Sequence, residues 1–337
     1  MVYLNSIVLL LIKASALQVN HQGVLHRGYA SLINRHLRHR LDFYGLCAHT
    51  NRRTISSRPR LIQQYKLDTI DWAYTEQDMT RINESDDIQF YEKPKFQRHL
   101  DEWALLSLKQ YYGKEIEEVG KKVNLLDLCS SWMSHLPDSC NLNKVLGVGM
   151  NAEELKANSQ LTDFLVQDLN KQPFLTNIES ESFEMVLMSC SVDYLTQPRI
   201  LFSEIYRVLR PNGGTAIITF SNRYFKEKVV AVWLNAAGSQ KVARRRNVNG
   251  ERVDFECKRQ EDYIINRARM DIVSNYIRSD GKWESIEAYD IKLDFSAENI
   301  LRLVMEGPES LWRWFAFCIF RGTFQTDPIY AVKAVKR

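Results

Sequence analysis

The run Gly147-Val148-Gly149-Met150-Asn151-Ala152 fits G-x-G-x-x-A directly after the apolar stretch "KVLGVG" (Lys144 to Gly149), and Asp168 follows at about the distance of a ribose-binding acid. Read alone, this pattern points to a dinucleotide. It is not alone, because polar groups recur where other apolar runs end. "VNLLDL" (Val123 to Leu128) carries Asp127 and leads into Cys129, Ser130 and Ser131, while "DFLVQD" (Asp163 to Asp168) ends on Asp168. "EMVLMSC" (Glu184 to Cys190) leads into Ser191, Asp193 and Tyr194, and "TAIITF" (Thr215 to Phe220) into Ser221, Asn222 and Arg223. Carboxylates, hydroxyls and a guanidinium so placed suit chemistry that aligns a polar ligand and moves one proton. Metal chemistry is not expected. The six cysteines, at 47, 129, 140, 190, 257 and 318, form no C-x-x-C pair, and only His99 and His135 lie beyond residue 60.

The elements that must hold these groups alternate between strand and helix. Each apolar run above is short enough for a strand buried on both faces. Pro198 suits a first helical turn, Leu201, Ile205 and Val208 recur at helical spacing, and Pro211 with Asn212, Gly213 and Gly214 makes the turn before the next strand. Further helices are expected over 96–120, 152–158 and 222–238, and "DIVSNYI", "WESIEAYDI" and "PIYAVKAV" read as a closing helix and two last strands. This alternation predicts an α/β fold with a doubly wound, mostly parallel sheet, whose ligand sits at the carboxyl ends of the strands.

"SFEMVLMSCSVDYLTQPRILFSEIYRVLRPNGGTAIITFS" resembles the second half of a class I S-adenosylmethionine-dependent methyltransferase of the type 11 group, with its strand and R-V-L-x-P-x-G turn. The resemblance reaches back to "LLDLCSSWMSHLP" and forward to "DPIYAVKAVKR", and it implies a Rossmann-like fold with S-adenosylmethionine as cofactor. It implies that Asp127 faces the cofactor ammonium and that the hydroxyls and amides of Ser130 and Ser131, at a helix start, face its carboxylate. Cys129 and Ser131 stand where the family carries glycines. Gly149 stands where it carries a ribose-binding acid, with Met150 beside it and Asn151 or Glu153 as substitutes. Asp168 fits the position that contacts the adenine amino group, Ser191 the acceptor end, and Asp193 or His135 the proton acceptor. The same resemblance makes a small-molecule acceptor the expected substrate. The rewritten first loop makes a non-catalytic binding or assembly factor the alternative, ahead of an NAD-binding protein.

Composition sets the remaining bounds. Residues 1–60 hold nine Lys or Arg against one acid, Asp42, in a chain of net charge +4. The remainder is therefore acidic, which argues against nucleic acid. The apolar run Ile7 to Ile12, the Ala14-Ser15-Ala16 junction and the arginines behind it resemble a bipartite leader to a plastid, with a mitochondrial presequence as the alternative. Residues 61–95 read as linker and arm. The domain over 96–337 is interrupted by insertions near 239–268, containing Arg244 to Arg246, and near 295–325. Within the latter, "LWRWFAFCIF" (311–320) is too short to span a bilayer and reads as a core helix or lid, with an apolar pocket wall or a peripheral membrane contact as the alternative.

Overall fold

The computed structural model describes residues 59–137, 140–236, 255–279, 281–291 and 326–337, with side chains from residue 264 onward in the third stretch. The leader up to residue 58, the Arg244 to Arg246 run and the whole of 295–325 lie outside the described residues.

Eight strands form one sheet: β1 (Arg60–Gln64), β2 (Val123–Leu128), β3 (Leu142–Gly149), β4 (Asp163–Val166), β5 (Met185–Ser189), β6 (Thr215–Ser221), β7 (Trp283–Ile291) and β8 (Ile329–Lys336). Their order is β1-β7-β8-β6-β5-β2-β3-β4. Strands β4, β3, β2, β5 and β6 run parallel, β8 pairs antiparallel with β6 and β7, and β1 pairs antiparallel with β7. The chain thus winds outward from β2 through β3 to β4, returns beside β2 as β5, and winds the other way. The switch point lies between β2 and β5.

Side chains of successive residues point to opposite faces of a strand, and here both faces are covered. On one face Leu126, Leu128, Val186, Met188, Ala216 and Ile218 pack in a core completed by α4 (Pro198–Val208) and α6 (Phe255–Arg278) through Leu201, Phe202, Ile205, Val273 and Tyr276. On the other face Val123, Leu125, Met185, Leu187 and Ile217 meet Leu108, Tyr112 and Ile116 of α2 (Glu102–Glu118). Three shorter α-helices lie among the described residues: α1 (Asp87–Tyr91), α3 (Ala152–Ala157) and α5 (Ala231–Ala236).

Four sequence expectations change in the structure. Helix α2 starts at Glu102 rather than near Phe96, because the Asp101 carboxylate caps it by accepting from the amides of Trp103 (2.9 Å) and Ala104 (3.0 Å). The helix expected over 222–238 shrinks to α5, because backbone groups before it bond outward. Glu227 O accepts from Asn83 N at 2.8 Å, and Val230 N donates to Asp193 O at 2.9 Å. The polar stretch after 239 is helical from Phe255 onward, so α6 starts well inside the expected insertion. The arm read over 61–95 supplies edge strand β1 and helix α1, and so belongs to the same folded unit. Among the described residues, no helix is long and apolar enough to cross a membrane.

Candidate functional site

A cavity of about 520 Å³ opens where the switch point places it, across the carboxyl ends of the parallel strands. Its floor is Asp127, Cys129 and Ser130 after β2, and Ser189, Cys190 and Ser191 after β5. Gly149, Met150, Asn151 and Asp168 form one flank; Ser221, Asn222 and Arg223 form the other. The roof comes from the end of the arm, through Tyr91 and Lys95, and from Arg98 and His99 just after it.

Of the residues singled out in the sequence, Asp127, Cys129, Ser130, Ser131, Gly149, Met150, Asn151, Asp168, Ser191 and His135 all line the cavity. Asp193 does not. It is buried in a short turn of helix over Val192–Tyr194, where the charge of Arg269 reaches it, and it does not cap α4 either. The α4 entrance is held instead by Asn170, whose Oδ1 accepts from Thr196 N at 2.8 Å. Asn151 is also committed to structure: Oδ1 caps α3 through the amides of Glu153 and Glu154, and Nδ2 donates to Tyr91 O at 2.8 Å. Glu153 is exposed, and the carboxylate that does line the cavity is its neighbour Glu154. No helix follows Ser130 and Ser131 among the described residues, so helix-start amides are not available there. Only thirteen residues join β2 to β3, and they include Pro137.

Comparison with known proteins gives part of the chain a family likeness. Residues 129–218 match the family model described as "Methyltransferase domain". Over that stretch the chain is similar to a methyltransferase domain. No curated protein matches the sequence. Solved structures similar to it include a putative methyltransferase from Bacillus halodurans C-125 (15% identity, 67% of this chain and 99% of that chain, TM-score 0.36). Another is an S-adenosylmethionine-dependent methyltransferase from Mesorhizobium loti (14%, 64% and 92%, TM-score 0.35). A third is phosphoethanolamine N-methyltransferase 2 from Haemonchus contortus, in complex with phosphomonomethylethanolamine and S-adenosylhomocysteine (14%, 64% and 49%, TM-score 0.34).

Over this methyltransferase-like stretch the glycine-free first loop keeps a glycine-like backbone. Cys129 has φ +56°, the left-handed region in which a Cβ costs about 1 to 2 kcal/mol. We expect Cys129→Gly to be more stable than Cys129→Ala by about 1 kcal/mol in urea titrations, since both lose the thiol and only alanine keeps the strain. Equal stabilities would show that the loop relaxes. The polar groups of the loop are turned inward. Ser130 N donates to Val148 O (2.9 Å), Ser130 Oγ to Asp127 Oδ2 (2.7 Å), and Ser131 Oγ to Glu154 Oε2 (2.5 Å).

Burial sets the protonation of the site. It pushes the Asp127 carboxyl up to about 6 against hydrogen bonds from Ser130 and Ser134, and Asp193 up to about 7. Both thiols, Cys129 and Cys190, are pushed up to about 12 by burial and neighbouring carboxylates, so neither is a nucleophile at neutral pH. Burial and the nearby His99 lower the His135 imidazole to about 4, leaving it neutral, with Nδ1 buried and without a hydrogen-bond partner. Asp168 is divided between two tasks. Oδ1 accepts from the amides of Asn170 (2.9 Å) and Lys171 (3.3 Å), as a turn residue does, while Oδ2 is buried with no partner.

The roof is what sequence reasoning missed, apart from His99. Its signal was the interleaving of aromatic and basic residues in "FYEKPKFQRH" (Phe90 to His99), which has no strand or helix period to mark it. Lys95 Nζ lies 3.4 Å from the Phe90 ring centroid, and the His99 and Phe225 rings meet edge to face at 5.4 Å. Among the described residues, no group of three or more His, Cys, Asp or Glu could hold a metal ion.

Proposed function

We propose that this protein binds S-adenosylmethionine and transfers its methyl group to a small-molecule acceptor held against the ends of β5 and β6. The observation that carries this reading is Asp168 Oδ2, a buried acceptor without a donor on the flank of a cavity at the switch point. A buried acceptor left unpaired is costly, and the exocyclic amine of an adenine would satisfy it. Val148, Met150 and Leu169 supply apolar walls beside it. When bound, S-adenosylmethionine supplies an electrophilic methyl group, so the protein's own task is alignment and exclusion of water. Tyr194, Tyr224 and Phe225 give the opposite flank aromatic surfaces suited to an apolar or planar acceptor. His135 is neutral at neutral pH and can accept a proton, but a base titrating near 4 is weak. The acceptor must therefore arrive with a lone pair already available, as an amine or an acidic hydroxyl does.

A second reading, a methyltransferase-like binding factor without turnover, is favoured by the inward hydrogen bonds of Ser130 and Ser131. A dinucleotide is disfavoured by position, because Gly147 and Gly149 lie in β3 itself and not in the loop after β2 at the switch point. Calorimetry tests the cofactor on which these readings differ, and formation of the demethylated product with an added acceptor separates transfer from binding alone. We expect S-adenosylmethionine and its demethylated product to bind, NAD not to bind, and Asp168→Asn to weaken binding about 10- to 100-fold, the loss of a buried hydrogen-bond acceptor. Absence of heat with both sulfur ligands at millimolar concentration would remove the transfer reading.

A further inference from the structure

The first loop leaves a gap in the chemistry. An amino-acid ligand end brings a carboxylate, and such a group needs a cation or a set of free amides. Among the described residues no helix starts between β2 and β3, and the amide and hydroxyl of Ser130 and the hydroxyl of Ser131 are already bonded. Helix α3 has only six residues, and its first free amides are taken by Asn151. The first loop carries no Lys or Arg, so a full counter-charge must come from elsewhere in the cavity.

Three full cations line it, and two are already paired outside. Arg98 is half exposed (54%) and pairs with Glu102 at 3.3 Å; Arg223 is 60% exposed and pairs with Asp327 at 2.6 Å. Lys95 differs. Its Nζ faces the rings of Phe90, Tyr91 and Phe225, at 3.4, 5.2 and 5.4 Å from their centroids, and it forms no ion pair among the described residues. Its backbone is fixed over the first loop, since Lys95 N donates to Glu154 Oε1 (2.7 Å) and Glu154 Oε2 in turn accepts from Ser131. Burial lowers the ammonium from its ordinary value, with the charge of Glu154 opposing, as expected of a cation short of a counter-charge.

We propose that Lys95 is the carboxylate anchor of this site: reaching down from the arm, its ammonium binds the amino-acid carboxylate of the ligand, a task that the first loop has given up. This rests on the S-adenosylmethionine reading and adds to it the group that recognises one end. The arm is then part of the binding site and not only its cover.

The test compares S-adenosylmethionine with its decarboxylated form, which keeps the adenosine, the sulfonium and the amine. We expect the intact wild-type chain to bind S-adenosylmethionine at least about tenfold more tightly than the decarboxylated form, the worth of a charge-assisted hydrogen bond. In Lys95→Met that preference should vanish, with affinity for S-adenosylmethionine falling about 10- to 100-fold and affinity for the decarboxylated ligand within about threefold of wild type. Lys95→Arg should restore most of the preference. Thermal melting of each variant reports whether the fold is intact. Equal loss for both ligands in Lys95→Met would mean that Lys95 only packs the roof, and no loss for either would mean that the carboxylate lies elsewhere; both overturn the proposal while leaving the cofactor reading in place. A wild type that binds neither ligand overturns both.

Discussion

Replacing Asp87 by alanine should lower stability by about 3 to 5 kcal/mol, the cost of leaving buried charge uncompensated. The carboxylate is 5% exposed and accepts from Arg81 Nη1 at 2.9 and 2.7 Å and from Asn170 Nδ2 at 3.0 Å, with Lys228 Nζ also 3.0 Å away. Arg81 and Lys228 are themselves 7% and 2% exposed, so neither can turn to water when Asp87 is removed. This hub ties the arm to the loops after β4 and β6, which is how an arm without a core of its own becomes a roof. The sign with pH follows from the charge. Burial would raise the Asp87 carboxyl, but hydrogen bonds from Arg81, Asn170 and Lys228 outweigh it and hold it below its ordinary value. A depressed carboxyl stabilises the fold above its unfolded pKa, and that contribution is lost as pH falls through the folded value. The gap between wild type and Asp87→Ala in urea titrations should therefore be full at neutral pH and close in acid. The double variant Asp87→Ala/Lys228→Met should recover part of the loss, because one stranded cation is gone. A single-variant loss within about 0.5 kcal/mol would mean that water or Glu84 takes over the pairing.

The same hub explains what could be read from the sequence and what could not. Strands β2, β5 and β6 are continuous apolar runs because both faces of the sheet centre are covered, and such runs carry their own boundaries. Their polar ends then fall at one edge of the sheet, which is why Asp127, Cys129, Ser130 and Ser131 at the end of β2 meet Ser191 after β5 in one cavity. Asp193 was the exception: a residue just past a strand end can turn either way, and here the local turn sends it away from the cavity, to the neighbourhood of Arg269. Strand β1, "RLIQQ", pairs on one side only and is mostly exposed, so it lacks the apolar run by which the others are recognised. Helix α6 begins in "FECKRQEDY", whose polarity reads as a loop. The roof was illegible for a different reason. Its position depends on Asp87 finding Asn170 and Lys228 across long sequence separations, and no local period encodes such a contact.

The glycine pattern that opens the dinucleotide reading has a structural explanation, and substitution should separate the two. A Cβ on Gly149 would stand 2.1 Å from the Ser130 carbonyl oxygen, a backbone atom held in place because Ser130 N bonds to Val148 O. On Gly147 the nearest atom would be Leu161 Cδ1 at 2.5 Å, the end of a side chain that can rotate away. Gly149→Ala should therefore destabilise by about 3 kcal/mol, since the first loop must lift off β3, whereas Gly147→Ala should cost about 1 kcal/mol. The lifted loop carries Cys129, Ser130 and Ser131 out of the cavity floor, so affinity for S-adenosylhomocysteine should fall at least about tenfold in Gly149→Ala and change little in Gly147→Ala. Urea titration and calorimetry on the two variants measure both effects. A Gly149→Ala protein as stable as the wild type would show that the glycine is not there for the close approach of the loop, and would return the pattern to a ligand.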